Sequence, residues 1–554
     1  MYDTEQKENN FPKWYIWMPL LLGMATVFGI LIGTKLPSNA PAIVVESNGQ
    51  QDVNPLGQGK VEELLRYIEA KYVDDVDRDA LVNEAIENII KQLDPHSNYI
   101  SAEQLREVNE QLEGNFEGIG IEFLILDDTI TVVSPLSGGP SETVGVLAGD
   151  KIVEIEDTLI VGSNITNRDV VERLRGEKGT DVTIGVLRGS ENDVRDFTIT
   201  RDKIPMHSVD AGFMLDNKTG YIKINRFSAT TYEEFMKQLE DLSENQNLKN
   251  LLIDVRHNPG GYLQQATNIL SQLFREKGKL LVYTEGRTVS RNDYETTGRN
   301  FFPVEKIAVL IDEGSASASE ILAGAMQDHD RGILIGRRSF GKGLVQEQYN
   351  LKDGAALRLT VARYYTPSGR SIQKAYDDDD AYDRDVIDRY ESGELLEEDK
   401  TEIADSTEFY TLNEKRVVYS GGGIQPDIFV PLDTIAMNDY YLDLRQHIPT
   451  FIFPYMQENG AKYGEMKLAD FKSNFNAEKD VLQDFLDFAY SKGVAEDAAK
   501  LAPVRNEVKR FLKARIARFL YGDEGFYSIW TEQDEVVRKA LEAIEDENLL
   551  RAEN

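Results

Sequence analysis

The sequence predicts an α+β multidomain chain: an N-terminal transmembrane helix, a small helical unit, a β-rich domain, an α/β core and a helical C-terminal extension. Three observations predict it. Residues 15–33 run 19 positions without a charge. Residues 204–350 alternate short apolar runs with amphipathic ones, the pattern of strands and helices in an α/β fold. Residues 435–554 return to helical spacing with dense charge.

The first element is YIWMPLLLGMATVFGILIG. At about 1.5 Å per residue such a helix nearly crosses a hydrocarbon core of roughly 30 Å. Trp14, Tyr15 and Trp17 sit at one end, where amphipathic rings favour the interface. The run is longer than the roughly 7–15 residues of a cleaved signal's apolar region. A cut after Ala40 would also meet Pro41. The expectation is therefore an uncleaved anchor over residues 1–36, with 37–57 a flexible linker. Lys7 and Lys13 before the run and Lys35 after it orient the span only weakly.

Residues 58–110 place Val61, Leu64, Leu65 and Ile68, then Leu81, Ala85, Ile86, Ile89 and Ile90, at helical spacing, and Asp94-Pro95 in LDPHSNYIS breaks the helix. Residues 111–203 carry β-branched runs bounded by Gly, Asp and Pro, with one helical segment, NRDVVERLRG. Residues 204–434 form the α/β core. An acidic run from Asp377 to about Glu402 interrupts its returning β segment and reads as a solvated loop. In the extension, Val508, Phe511, Leu512, Ile516, Phe519 and Leu520 share one helix face. Arg515 falls within that apolar arc and must snorkel.

Composition narrows the chemistry. With 61 basic and 96 acidic residues the net charge is −35, which repels phosphate backbones and makes nucleic acid an unsuitable partner. There is no cysteine, so disulfides, thiol nucleophiles and thiolate-held metals are excluded. No two of the five histidines stand at a metal-ligand spacing such as HxxxH, and no metal or organic cofactor is expected.

Three strand ends of the core are followed by Gly or Ser, and sites of such sheets form beyond the carboxyl ends of strands. In IDVRHNPGG, glycines can turn backbone N–H groups toward an oxyanion, or simply make a tight turn. In DEGSASASE, a serine at a strand-to-helix turn can expose its hydroxyl while the next N–H serves an oxyanion. Ser317 with Glu320 behind it also reads as a capping box. One cap needs one serine, however, and here Ser315, Ser317 and Ser319 alternate with alanine. In GRRSFGKGLVQ, Gly336 to Lys342 matches the fixed positions of a P-loop except the last, which is Gly343 rather than Ser or Thr. A strand, not a helix, follows, so nucleotide binding is rejected. His257 and His329 lie near these motifs without an evident carboxylate partner. Lys342 is the better base, because desolvation can lower a lysine's pKa toward neutrality.

GSASASE (314–320), FGKGLVQ (340–346), DVRHNPGG (254–261), LDPHSNYIS (93–101) and GGIQPDI (422–428) together resemble the C-terminal processing peptidases, or tail-specific proteases, over residues 60–431. The resemblance implies Ser317 as nucleophile, Lys342 as general base and Gln346 as the residue orienting it. It implies an oxyanion hole of the Ala318 N–H and one from Gly260 or Gly261. It also implies that the β-rich domain at 111–203 is a PDZ domain. Gly118, Ile119, Gly120 and Ile121 would be its carboxylate-binding loop, and Val170, Val171 and Leu174 liners of its groove or core contacts.

The expectation is a membrane-anchored serine endopeptidase that takes protein or peptide substrates by their free C-termini. It would sit in a bacterial inner membrane through a single span, with its body in the periplasm. An adaptor or a homo-oligomer remains open. A tethered PDZ scaffold and a latent, partner-activated protease are the alternatives.

Overall fold

The computed structural model describes residues 59–136, 138–189, 193–401 and 405–546. The expected anchor and linker at 1–57 lie outside the described residues, among which no helix is long and apolar enough to cross a membrane. The chain divides after Val82 into two compact units. The described part of the first is helix Lys60–Lys71 and the opening turns of helix Arg78–Lys91.

The second unit is built on a six-stranded sheet in the order Val209–Met214, Thr219–Ile224, Asn250–Asp254, Lys306–Ile311, Ile333–Gly336 and Ile428–Phe429. The first pair is antiparallel and the rest are parallel. Every residue of Asn250–Asp254 and Ile333–Gly336 is buried, which is why these strands read as unbroken apolar runs rather than alternating ones. Helices Thr231–Asn245, Leu263–Leu273 and Ala318–Asp328 cover one face through Phe235, Leu239, Ile269 and Leu322. The other face presents Phe213, Tyr221, Leu252 and Leu310. It is covered by helix Glu535–Glu545 through Val536, Val537, Ala540 and Ile544. The extension expected from residue 435 is therefore two things. Its last helix is a layer of the α/β core, and its earlier helices form a bundle with a core of their own around Tyr441, Phe471, Phe485 and Leu512.

The returning β segment joins a second, antiparallel sheet: Asn98–Ile100, Ala356–Tyr365, Lys277–Glu285 and Asn292–Thr297, with Leu344–Asn350 beside Ala356–Tyr365. Between residues 111 and 203 a six-stranded sheet runs Ile121–Leu126, Thr129–Pro135, Lys151–Ile155, Asp181–Leu187 and Arg195–Thr200, with Thr158–Leu159 beside Lys151–Ile155, packed on Ile130, Val132, Ile152 and Val182. Ile121–Leu126 is an edge strand.

The acidic run is not a loop. Asp379–Glu391 is a helix whose N-cap, Asp378, accepts the Ala381 N–H at 3.1 Å. Its Tyr382 and Arg389, seven residues apart and hence on one face, are buried, while Asp380, Asp383 and Asp388 are exposed. Arg389 and Arg338 share Glu394 at 2.9 and 2.7 Å. The helix is held on the segment just before Lys342, since Arg389 donates to the carbonyls of Arg338 and Ser339.

Candidate active site

The three strand ends converge. The serine turn follows Lys306–Ile311, the Asn-Pro-Gly-Gly turn follows Asn250–Asp254, and the Lys342 loop follows Ile333–Gly336. Of the three serines two are buried and bonded. Ser315 Oγ donates to the Val255 carbonyl at 2.8 Å, and Ser319 Oγ to the Asn258 carbonyl at 2.9 Å. Ser317 alone is part-exposed, and it holds φ 55°, ψ −112° at the start of the helix. A non-glycine residue there costs roughly 1–3 kcal/mol and persists only where its surroundings enforce it. The bonds on either side do so, because the Asn258 carbonyl accepts both Ser319 Oγ and the Ala316 N–H, the latter at 3.0 Å.

The glycines fit against that serine. At Gly260, φ is 98°, and a Cβ would stand 2.7 Å from Ser317 Cβ and 2.9 Å from the Ala318 nitrogen. Its N–H donates to Asn258 Oδ1 at 2.9 Å. At Gly261, φ is 141°, and a Cβ would meet the Phe227 carbonyl oxygen at 2.1 Å. Phe227 and Gly261 form a parallel bridge in which the Phe227 N–H donates to the Gly260 carbonyl and the Tyr262 N–H to the Phe227 carbonyl. The Gly261 N–H must then point away from Phe227. Among the described residues, neither it nor the Ala318 N–H has an acceptor.

One carboxylate joins the serine turn to the lysine loop. Glu320 is wholly buried, and its Oε2 accepts the Ser317 N–H and the Lys342 N–H, each at 2.8 Å. Its Oε1 accepts Ser339 Oγ at 2.6 Å and the Gly341 N–H at 2.7 Å. Tyr364 Oη donates to the carbonyls of both Ser317 and Lys342. Burial lowers the Lys342 pKa from its ordinary value, with the charge of Arg358 acting in the same direction. Burial also pushes the Glu320 carboxyl up to about 7, against the pull of its four bonds. The sequence offered Glu320 only as a helix cap; the glycines and Ser339 that surround it come from a loop 19–22 residues further on.

Gln346 has a partner other than Lys342: its amide donates to Thr360 Oγ1 at 3.3 Å, beside a register shift between Val345 and Gln346. Thr360 in turn donates to Asp94 Oδ1 at 3.0 Å, so the LDPHSN segment braces this strand pair. No hydrogen bond joins Ser317 Oγ and Lys342 Nζ among the described residues. The reading that His257 lacks a carboxylate is corrected. Its Nδ1 lies 2.9 Å from Asp312 Oδ2, and its N–H donates to Asp312 Oδ1 at 2.8 Å. The bond to Asp312 raises the His257 pKa. Asp312 lies 55 positions beyond His257, so only the fold brings the pair together. His96 is bonded at 2.6 Å to Tyr382 of the acidic helix, and burial, with the Lys342 charge second, takes its pKa down to about 4. Tyr382 also meets Phe340 edge to face, with ring centres 6.0 Å apart.

In the β-rich domain the edge strand Ile121–Leu126 and helix Asn167–Leu174 pack on one common core. At one end the helix approach is tied to the strand's turn, where the Ile165 N–H donates to Asp128 Oδ1 at 3.1 Å. At the other, Gly118 packs on Arg175, whose guanidinium pairs with Glu110 at 2.9 Å. Gly118, Ile119 and Gly120 are buried and Ile121 part-buried. The carbonyls of Ile119 and Gly120 are taken by Ser141 and Leu136, while the N–H groups of Ile119 and Gly120 have no acceptor among the described residues. Val170 and Leu174 belong to the domain core; Val171 is the part-exposed one of the three.

Comparison with known proteins agrees with this architecture. The profile of peptidase family S41 matches residues 218–381 and that of the PDZ domain residues 118–200. Residues 440–522 match a family of unknown function, DUF8443. A carboxy-terminal-processing protease of Bartonella bacilliformis is 36% identical over 353 residues, covering 63% of this chain and 79% of the relative. The carboxy-terminal processing protease CtpB of Bacillus subtilis is 35% identical over 359 residues, covering 64% and 74%. A solved photosystem II D1 C-terminal processing protease is 26% identical, covering 67% of this chain and 87% of that one, with a TM-score of 0.34. The chain belongs to the carboxy-terminal processing proteases, serine-type peptidases of family S41 that carry a PDZ domain.

Proposed function

We propose that this chain is a membrane-anchored endopeptidase that takes substrates by their free C-termini and cuts them with a Ser317–Lys342 dyad. The anchor is the charge-free run at 15–33, and the body stands on the periplasmic side of a bacterial inner membrane. The observation that carries the dyad is Glu320 Oε2, which accepts the N–H groups of both Ser317 and Lys342 at 2.8 Å and so ties the two residues to one point. Lys342, its pKa lowered by burial, takes the Ser317 proton as Oγ attacks the peptide carbonyl. The Ala318 and Gly261 N–H groups, both without acceptors among the described residues, receive the oxyanion. The protonated lysine returns its proton to the leaving amine, and water then releases the acyl group. The peptide's last residues add to the free edge of Ile121–Leu126, and the free N–H groups of Ile119 and Gly120 hold its carboxylate.

A latent form that waits on a peptide or partner is the second reading, favoured by Gln346 being bonded to Thr360 rather than to Lys342. The deciding experiment incubates the full chain, Ser317→Ala and Lys342→Arg with an unfolded protein bearing a free or an amidated C-terminus. Mass spectrometry should find fragments from the parent alone, fewer with the amidated substrate. Full activity in Lys342→Arg would end the dyad, because a guanidinium is no base near neutral pH. Activity that appears only when a second peptide is added would select the latent form.

A further inference from the structure

Arg515 is the residue the mechanism leaves unused. It lies on the apolar arc of helix Ala498–Trp530 and is part-buried. Two cavities meet at it. One, of about 270 Å³, adjoins Asp210 of the protease sheet, and its other charges are paired: Arg518 with Asp523 at 2.7 Å, and Tyr527 Oη with Asp210 at 2.9 Å. The other, of about 540 Å³, lies between the C-terminal bundle and the outer face of the PDZ-domain hairpin. It is walled by Glu122 and Leu124 of the edge strand and by Ile452, Phe453 and Phe519 of the bundle. Among the described residues Arg515 makes no ion pair or hydrogen bond. Glu122 is exposed on its strand and stands beyond ion-pair distance. Burial and the like charge of Arg518 disfavour the Arg515 cation, while Glu122 and Asp523, which also line this cavity, favour it without contact; Arg515 is thus left with no carboxylate in direct contact.

A peptide that pairs with the edge strand lies about 4.8 Å to its side, and its side chains alternate between the two faces of the sheet. One set turns inward toward helix Asn167–Leu174. The other set turns outward beside Glu122 and Leu124, toward the bundle. We propose that the bundle is the second wall of the peptide groove, and that Arg515 is the counter-ion for an acidic side chain at an outward-facing position near the substrate's C-terminus. This rests on the groove reading above and adds to it a residue class at defined positions. A long guanidinium reaching out of an apolar wall suits that task, since it can pair with a carboxylate across a gap while its stem stays packed.

The test uses the full chain carrying Ser317→Ala, so that peptides are bound and not cut. Fluorescent decapeptides of one sequence carry Gln or Glu at one of the last five positions, with free or amidated ends, and binding is read by anisotropy. Glu should bind more tightly than Gln by roughly threefold to tenfold, at alternate positions only. Arg515→Gln should bring that ratio to one, and Arg515→Lys should retain it, with unchanged melting curves showing that the bundle is intact. Three results would overturn the role of Arg515 alone: no Glu gain at any position, an equal gain at every position, or a Glu/Gln ratio that survives Arg515→Gln. Equal binding of free and amidated peptides would overturn the groove reading, and the role of Arg515 with it.

Discussion

Glu320 shows how much one buried residue can decide. Its carboxylate receives four donors and has no exposure to water. Glu320→Gln puts an NH2 where a donor already points, and an unsatisfied buried group costs about 1–3 kcal/mol. We expect kcat to fall about 10²-fold or more with little change in KM, because the loss falls on the geometry of Ser317 and Lys342 and not on the groove. Steady-state kinetics on a short peptide separates the two. The pH dependence has a distinctive sign. With the folded pKa raised from 4.5 to about 7, the folded state holds the proton longer, so this group's stability contribution falls as pH rises from 4.5 to 7. Activity should rise over the same interval, since only the carboxylate accepts all four bonds. Lys342 adds a further limb below the ordinary lysine range. His257 has a linkage of the same sign. Its raised pKa makes the Asp312 bond a contribution present below 6.5 and lost as pH climbs past the folded value. His257→Gln should lower the melting temperature by a degree or so at pH 6 and less at pH 9, a small effect because the imidazole is 79% exposed.

At the scale of elements, the acidic helix Asp379–Glu391 is a brace for the loop that carries Lys342. Lys374 sits over the rings of Phe340 and Tyr382 at 4.1 and 4.0 Å and pairs with Asp385 at 3.3 Å. Cation–π contacts of this kind contribute about 0.5–2 kcal/mol. Tyr382→Ala removes the ring from Lys374, from Phe340 and from His96 together. We expect about 3–5 kcal/mol of destabilisation for a buried aromatic, and a loss of kcat that Tyr382→Phe largely restores. If Tyr382→Ala keeps full kcat at a temperature where it is folded, the helix is not a brace. The element's character was hidden in the sequence because its charges dominate the reading. The signal that could have found it is the seven-residue spacing of Tyr382 and Arg389, which puts two large side chains on one face.

At the scale of the whole molecule, the C-terminal residues cannot be treated as an appendage. Helix Glu535–Glu545 covers one face of the central sheet. Asp534, at its cap, pairs at 2.9 Å with Arg256, which stands at the head of the Asn-Pro-Gly-Gly turn. Val537→Asp buries an unpaired charge against Leu252 and Leu310 and should cost several kcal/mol. A chain ended at 434 would expose Phe213, Tyr221, Leu252 and Leu310, each giving up about 1.5–3 kcal/mol of burial. Both are expected in the insoluble fraction, or as aggregates by size-exclusion chromatography. A monodisperse, active truncation would show that the last helix is dispensable. The sequence by itself determined the parallel core, the order of its strands and helices, and the turns that follow three of its strands. Local signals suffice for these: a buried strand is an apolar run, and glycine, serine and proline mark where it ends. It also determined which lysine and which group of serines to examine. Only the tertiary structure decided which serine is exposed, that Asp312 stands under His257, that Glu320 reaches the Lys342 loop, and that the last helix closes the sheet. Each of these joins residues far apart in the chain, and a pairing across space leaves no period in the sequence at either end.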